Sequence, residues 1–315
     1  MSASHRSFSR GWALASCVPA LLFLGLVACG SSDPEPAGRP GTHHGAMAAT
    51  PGTAASTVPG MRGMQGIQGM PGIPDVPATA RGLAAERDGY RLDPEAADLP
   101  AGRAVGYPFT VTGPDGGPVT DFAEHQTKKL HFYAIRSDLT GFRHLHPAMA
   151  ADGTWTADLA ALTPGTWRLY TSFVPDAGPR KGSELVLSRT VTVPGAAAAL
   201  PLPAPAGSTT VDGYTVTLRS EPMAGVHRLT VTVSKDGRPV TDLQPYLDSF
   251  VHLTAFHEGD QALAHLHPTD RVAGDHGGPT VTFQALLGEP GNWRLFLQFQ
   301  TAGQLHTAEL TLNVT

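Results

Sequence analysis

The second half of this chain repeats its first, and that limits what it can fold into more than any other feature. Asp88-Gly89-Tyr90 recurs as Asp212-Gly213-Tyr214, and the run from Asp115 to Asp121 recurs as Asp236 to Asp242. At the same offset of 121, His131, His144, Leu145, His146 and Pro147 return as His252, His265, Leu266, His267 and Pro268. Pro164-Gly165-Thr166-Trp167-Arg168-Leu169 returns as Pro290-Gly291-Asn292-Trp293-Arg294-Leu295, now at an offset of 126. Five extra residues therefore fall between the His-Pro step and the Trp of the second repeat, and the Gly-rich stretch Gly274 to Gly278 is the expected place. A duplication of this kind means a unit of roughly 105 residues used twice, not one large core.

Each repeat reads as β-structure. Phe109-Thr-Val-Thr and Leu229-Thr-Val-Thr-Val are β-branched and alternating, and each stops at an Asp-Gly turn. Trp167-Arg-Leu-Tyr and Trp293-Arg-Leu-Phe-Leu-Gln-Phe alternate as half-buried strands do. No long segment of helical period competes. The expected fold is all-β, two tandem immunoglobulin-like β-sandwich domains, at 83–195 and 209–315, joined by an Ala/Pro-rich linker at 196–208.

What precedes the repeats does not read as a domain. Arg6 and Arg10 flank an apolar run from Trp12 to Val27, too short for a comfortable spanning helix. The run ends in Leu26-Val27-Ala28-Cys29, which resembles a bacterial lipoprotein signal cut before the Cys. The resemblance implies a signal at 1–28, a lipidated Cys29 as mature N-terminus, and an extracytoplasmic protein held to the cell membrane by lipid. Residues 29–82 are rich in Pro, Gly, Ala, Ser and Thr and read as a disordered tether. His43, His44, Met47, Met61, Met64 and Met70 lie in it, and their soft donors suit Cu(I), although drift in a low-complexity segment also yields such a set. The chain has only two Cys, and Cys17 leaves with the signal, so no intrachain disulfide is expected. Processing leaves 20 Lys and Arg against 27 Asp and Glu. An acidic chain has no electrostatic reason to bind nucleic acid.

The histidines carry the chemistry. In a strand, residues i and i+2 share a face, so His144/His146 and His265/His267 each present two imidazoles together. A hairpin turn at Glu258-Gly259 would set His252 opposite His265; a turn one step later would set it opposite His267. Either register gathers three imidazoles on one face, a donor set suited to zinc, copper or nickel. His306 is a fourth candidate, with Lys181 at its place in the first repeat, which makes the second repeat the better expected site. Between residues 109–147 and 230–268 only 12 of 39 positions are identical, and all three His are among them. A shared structural role for the imidazoles is the competing explanation. His125, His227, His257 and His276 have no counterpart in the other repeat and read as surface residues.

The run from Arg238 through Leu247, with His252 and Ala264-His265-Leu266-His267-Pro268, resembles secreted or lipoprotein β-sandwich proteins of actinobacteria and related bacteria. These are similar to YtkA-like and CopC-like immunoglobulin-type modules. The resemblance implies a seven-stranded sandwich outside the cytoplasm that handles copper or a similar ion, with a metal donor or acceptor protein as partner. Three functions stay open at this level. One is a lipid-anchored copper-binding module without catalysis, with His131, His144, His146, His252, His265, His267 and His306 as ligands. Another is a structural or adhesion sandwich without metal. The last is a zinc-dependent hydrolase, since three imidazoles with an open position also suit metal-assisted hydrolysis. No Gly-rich phosphate loop or redox CxxC is present.

Overall fold

Alternating apolar side chains separated by Gly-, Asp- and Pro-rich turns give strands throughout. The computed structural model describes residues 81–223 and 226–315, apart from the side chains of His265 and His267. The expected signal, Cys29 and the tether up to residue 80 lie outside the described residues; Arg81, expected at the tether's end, instead pairs with Asp260 at 3.1 Å and Glu289 at 2.8 Å. No helix among the described residues is long and apolar enough to cross a membrane.

The first repeat contains β1 (Glu86–Arg87), β2 (Tyr90–Pro94), β3 (Val105–Thr112), β4 (Phe122–Ala123), β5 (Leu130–Arg136), β6 (Arg143–Leu145), β7 (Ala148–Met149), β8 (Trp155–Leu159), β9 (Gly165–Pro175) and β10 (Leu185–Val193). One of its sheets has the order β1-β2-β3-β8-β7 and the other β10-β9-β5-β6, with β4 added to β9. The second repeat contains β11 (Ser208–Val211), β12 (Tyr214–Met223), β13 (Val226–Lys235), β14 (Arg238–Pro239), β15 (His252–His257), β16 (Leu263–Pro268), β17 (Thr280–Ala285), β18 (Gly291–Thr301) and β19 (Gln304–Val314). Its path runs β11-β12-β13-β17-β16-β15-β18-β19. Here β16 pairs with both β15 and β17 and so joins the two layers. The chain thus forms two repeated all-β units, as expected from the pattern.

Each unit has its own apolar centre. Phe109, Phe132, Trp155, Trp167 and Phe173 lie in that of the first, and Leu229, Phe283, Trp293, Leu297 and Phe299 in that of the second. The repeated Trp does the same work twice: Trp167 Nε1 donates to the Thr163 carbonyl at 2.9 Å and Trp293 Nε1 to that of Glu289 at 3.0 Å. Gly141 sits against Trp167 at a φ of 72°, where a Cβ would lie 2.4 Å from the indole. A side chain there would displace the ring.

A third apolar cluster lies between the units. Tyr133, Ile135, Leu139 and Tyr170 of the first meet Phe256, Leu263 and Phe296 of the second. Phe142 stacks on Phe296 at 4.1 Å, and Tyr170 Oη donates to the Gln261 carbonyl. This packing explains why β5 is buried at every position and β15 at all but its last. A sheet in an isolated sandwich leaves one face to solvent; here both faces of β5 and β15 are covered.

The linker is pinned at Ala198 and Leu200. Asp138 accepts from the Leu200 amide at 2.9 Å and from the neighbouring Arg136 guanidinium, and Arg136 also donates to the Ala198 carbonyl at 3.1 Å. Burial alone would raise the Asp138 pKa. The hydrogen bonds from Arg136, Leu200 and Thr140 reverse this and hold it well below the usual carboxylate range.

Candidate metal centre

The His side chains that sequence alternation puts on one face of β5 and β6 lie on the face turned toward the second unit. Leu130, Phe132 and Ala134 point into the first unit's own centre, which leaves His131, Tyr133 and Ile135 on the outer face. The β5–β6 register pairs Tyr133 with His144 and Phe132 with Leu145, which sets His146 level with His131. In the second unit Thr254 pairs with His265 and Leu253 with Leu266. That is the register of the later of the two expected turns. The turn itself is a four-residue loop, 258–261, closed by His257 N to Ala262 O at 2.9 Å and Gln261 N to His257 O at 3.0 Å.

His131, His144 and His146 each offer one ring nitrogen, and these nitrogens all lie within 4.8 Å of one another. His131 is fully buried and the other two are half-buried. The hydrogen bonds around the first two assign their tautomers. His131 Nε2 lies 3.0 Å from the His125 carbonyl oxygen, which can only accept, so Nε2 carries the proton. His144 Nδ1 lies 2.7 Å from Oε1 of Gln298, an amide oxygen of the second unit, so Nδ1 carries its proton. The remaining nitrogens, His131 Nδ1 and His144 Nε2, face each other at 3.1 Å. Both are then acceptors. Two neutral acceptors at this distance repel unless a cation, a proton or a metal ion, lies between or beside them. Two nitrogens bound to one zinc at about 2.0–2.1 Å in tetrahedral geometry would themselves lie about 3.3 Å apart.

His146 is the third donor. Its Nε2 is buried without a hydrogen-bond partner among the described residues. Burial, helped by the charge of Lys128, pushes its pKa down to about 4, so it is neutral near pH 7. His146 also lines an open cleft of about 620 Å³, together with Leu145, Pro147, Met149, Thr154, Thr156 and Asp158, among others. The cleft gives the cluster a way to solvent.

The second unit closes the opposite side. His252, fully buried, lies 4.9 Å from His144 and 6.1 Å from His131 by ring centroids, nearly parallel to both. Tyr133 stacks on His144 at 4.4 Å. Burial, with the charge of Glu184, holds the Tyr133 hydroxyl pKa well above its ordinary value. Tyr246 stands at 6.3 Å from His252, and burial pushes its pKa up to about 12.

Several expectations change. His306 is not near this cluster: Phe299, its partner in the register, belongs to the inner core, whereas His252 pairs with Gln298 on the other face. His306 Nδ1 bonds Asp212 at 2.8 Å and Nε2 bonds Thr301 at 2.9 Å, so both nitrogens are engaged in tying the β18–β19 hairpin to the turn before β12. Lys181 is not its counterpart either. Phe173 pairs with Leu185 where Phe299 pairs with His306, because the first unit's hairpin is five residues longer. Lys181 pairs with Asp176 on that longer turn. The ligand cluster among the described residues belongs to the first unit, the one ranked second from sequence. The side chains of His265 and His267 lie outside the described residues.

Two of the histidines expected at the surface are structural. His125 supplies the carbonyl that holds His131, through a tight turn in which Gln126 and Thr127 have φ of 49° and 64°. Tyr246 to Ser249 forms the same turn in the second unit. His257 bonds Asp260 at 2.8 Å and the Pro290 carbonyl at 3.2 Å. His276 is half-exposed beside Asp275, and His227 bonds Ser220 at 3.2 Å. Gln298 was not singled out from sequence. Its only sequence signal is a polar residue interrupting an apolar strand.

The profile of a domain of unknown function, DUF8832, matches residues 85–193 and again 209–315. The chain belongs to the DUF8832 family. It carries two DUF8832 units, and the histidine cluster lies where they meet. No curated protein matches the chain in sequence. Among solved structures, a DUF4785 family protein from Legionella pneumophila is similar at 11% identity and a TM-score of 0.23, covering 71% of this chain and 55% of that one. A Salmonella alpha-2-macroglobulin variant is similar at 10% identity and a TM-score of 0.23, covering 73% of this chain and 16% of that one. This chain thus spans about half and about one-sixth of those two proteins.

Proposed function

We propose that this two-unit DUF8832 protein is an extracytoplasmic, lipid-anchored metal-binding protein that holds copper through His131, His144 and His146. The observation that carries the reading is the meeting of His131 Nδ1 and His144 Nε2 at 3.1 Å while the other nitrogen of each ring faces an oxygen acceptor. Two imidazole nitrogens turned toward each other, with a third neutral imidazole beside them, support a reading in which a cation is held at this point. Imidazole suits copper, zinc and nickel alike. Copper is favoured by the soft Met and His donors of the tether sequence and by the likeness of the His-x-His-Pro segments to CopC-like modules. Binding is favoured over catalysis because the rings of Tyr133 and His252 cover His131 and His144, leaving only His146 beside the cleft.

The test is metal titration of the full chain with Cu(I), Cu(II) and Zn(II), read by metal content and by thermal unfolding. A ligand at about 100 times its dissociation constant stabilises by about 2.7 kcal/mol, a shift of several degrees. Copper-selective stabilisation lost in His144→Ala supports the reading. Zinc selectivity moves it toward a zinc enzyme, and no response to any ion leaves a structural sandwich. For the anchor, Cys29→Ser should release the protein from the membrane fraction; retention of the variant would refute lipidation at that residue.

A further inference from the structure

The proposed ligands all come from the first unit, yet a group that fixes one of them comes from the second. Gln298 lies on β18, on the strand face that packs against the first unit, and is buried. Its Oε1 accepts from His144 Nδ1 at 2.7 Å, and its Nε2 lies 3.4 Å from Thr307 Oγ1. The consequence reaches the far side of the imidazole. With Nδ1 protonated, neutral His144 keeps Nε2 as an acceptor, the atom that faces His131 Nδ1 at 3.1 Å. Without the amide oxygen, the proton can sit on Nε2 and donate to His131 Nδ1. That proton would take up the His144 nitrogen through which the proposed metal is held.

From this we infer that Gln298 is the positioning residue for the metal ligand His144, so that the two DUF8832 units build one centre between them. This rests on the metal-binding reading above and adds to it which residue sets the ligand tautomer and why the duplication matters. Ser172 shows that the arrangement is not symmetric. It pairs with His131 in the β5–β9 register as Gln298 pairs with His252, but it is too short to reach across, and its hydroxyl donates to Glu184 at 2.5 Å. The second unit therefore supports the first unit's ligands in a way the first cannot return through Ser172. His252 of the second unit also stacks on His144, at 4.9 Å between ring centroids.

The test uses the full chain and three forms: wild type, Gln298→Leu and Gln298→Glu. Leu keeps the approximate volume and removes the acceptor; Glu restores an acceptor that cannot donate when ionised. Copper affinity should fall about 10–100-fold in Gln298→Leu, the usual cost of removing a partner that orients a metal-binding imidazole. It should return to within a few-fold of wild type, or exceed it, in Gln298→Glu. The second readout is the ¹⁵N shift pattern of His144 in the metal-free protein. It should show the proton on Nδ1 in wild type and Gln298→Glu, and on Nε2 in Gln298→Leu. A wild-type His144 with its proton on Nε2 would overturn the inference, as would a Gln298→Leu variant that is folded and binds copper like wild type. A wild type that binds no metal at all would instead overturn the metal-binding reading, and the tautomer measurement would still judge the role of Gln298.

Discussion

Phe296→Ala isolates the contact between the two units. Phe296 is fully buried, but it belongs to the cluster between the units and to neither sandwich centre. Its ring stacks on Phe142 at 4.1 Å and meets Phe256 edge-on at 5.9 Å. Truncating a buried Phe removes its burial and leaves a cavity, together about 3–5 kcal/mol. An aromatic pair of this kind contributes about 0.5–1.5 kcal/mol of that beyond simple burial. Because the loss falls on docking, each sandwich keeps its own core, and the expected result is a change in how unfolding is shared. The wild type should unfold in urea as one cooperative transition. The variant should lose about 3–5 kcal/mol, and its transition should separate into two. Tryptophan fluorescence can follow this, since Trp155 and Trp167 report the first unit and Trp293 the second, with far-UV circular dichroism as the common probe. A loss below about 1 kcal/mol with one coincident transition would refute the claim that this cluster couples the units.

Three further outcomes follow from the same geometry. His306→Ala removes hydrogen bonds to Asp212 and Thr301 and should cost about 1–3 kcal/mol of stability in urea unfolding. Its copper affinity should stay within twofold of wild type; a large loss would return His306 to the ligand set. In the metal-free protein the His146 pKa lies near 4, below the ordinary 6.5, so the unfolded chain takes up that proton first as pH falls. Its contribution is complete above about pH 6.5 and is lost toward pH 4, about 2 kcal/mol once solvent screening of a half-buried ring is counted. His146→Leu should flatten that part of the stability-against-pH curve, and an unchanged slope would contradict the burial of this ring. Asp138 has a depressed folded pKa, so its contribution is present above the ordinary carboxylate value of 3.8 and is lost as pH falls through the folded value. Asp138→Asn should cost about 3–5 kcal/mol by stranding Arg136, and should expose 196–208 to limited proteolysis; wild-type protection would show that the linker is held by other contacts.

The repeat, the β-class and the His-facing register were legible because they depend on local periodicity. His144 and His146 fall on one face for the same reason that any i, i+2 pair does, the β5–β6 register brings His131 to that face, and a hairpin shift of two residues leaves the face unchanged. The place of His306 was not legible because the longer hairpin of the first unit breaks the correspondence between Lys181 and His306. Once Phe173 is paired with Leu185 and Phe299 with His306, parity puts His306 on the inner side. The roles of Gln298 and of His125 were not legible. Each acts through a contact made across a turn or across the gap between units, and no spacing along the chain announces it.

The buried cluster follows from the duplication itself. In one sandwich, the outward positions of β5 and β15 would face water, and imidazoles there would cost little and do little. Placing the outward faces of two repeats together turns those positions into an interior. Polar rings there must find partners or lose free energy, since an unpaired polar group removed from water costs about 1–3 kcal/mol. Apolar neighbours could have replaced them, as Ile135 and Phe256 do farther along the same strands. The imidazoles instead occupy one end of the contact, beside the open cleft at His146, while the aromatic stack occupies the other. That division suits the proposed metal centre: the apolar end would hold the units together with or without an ion, and His146 at the histidine end lines a cleft open to solvent.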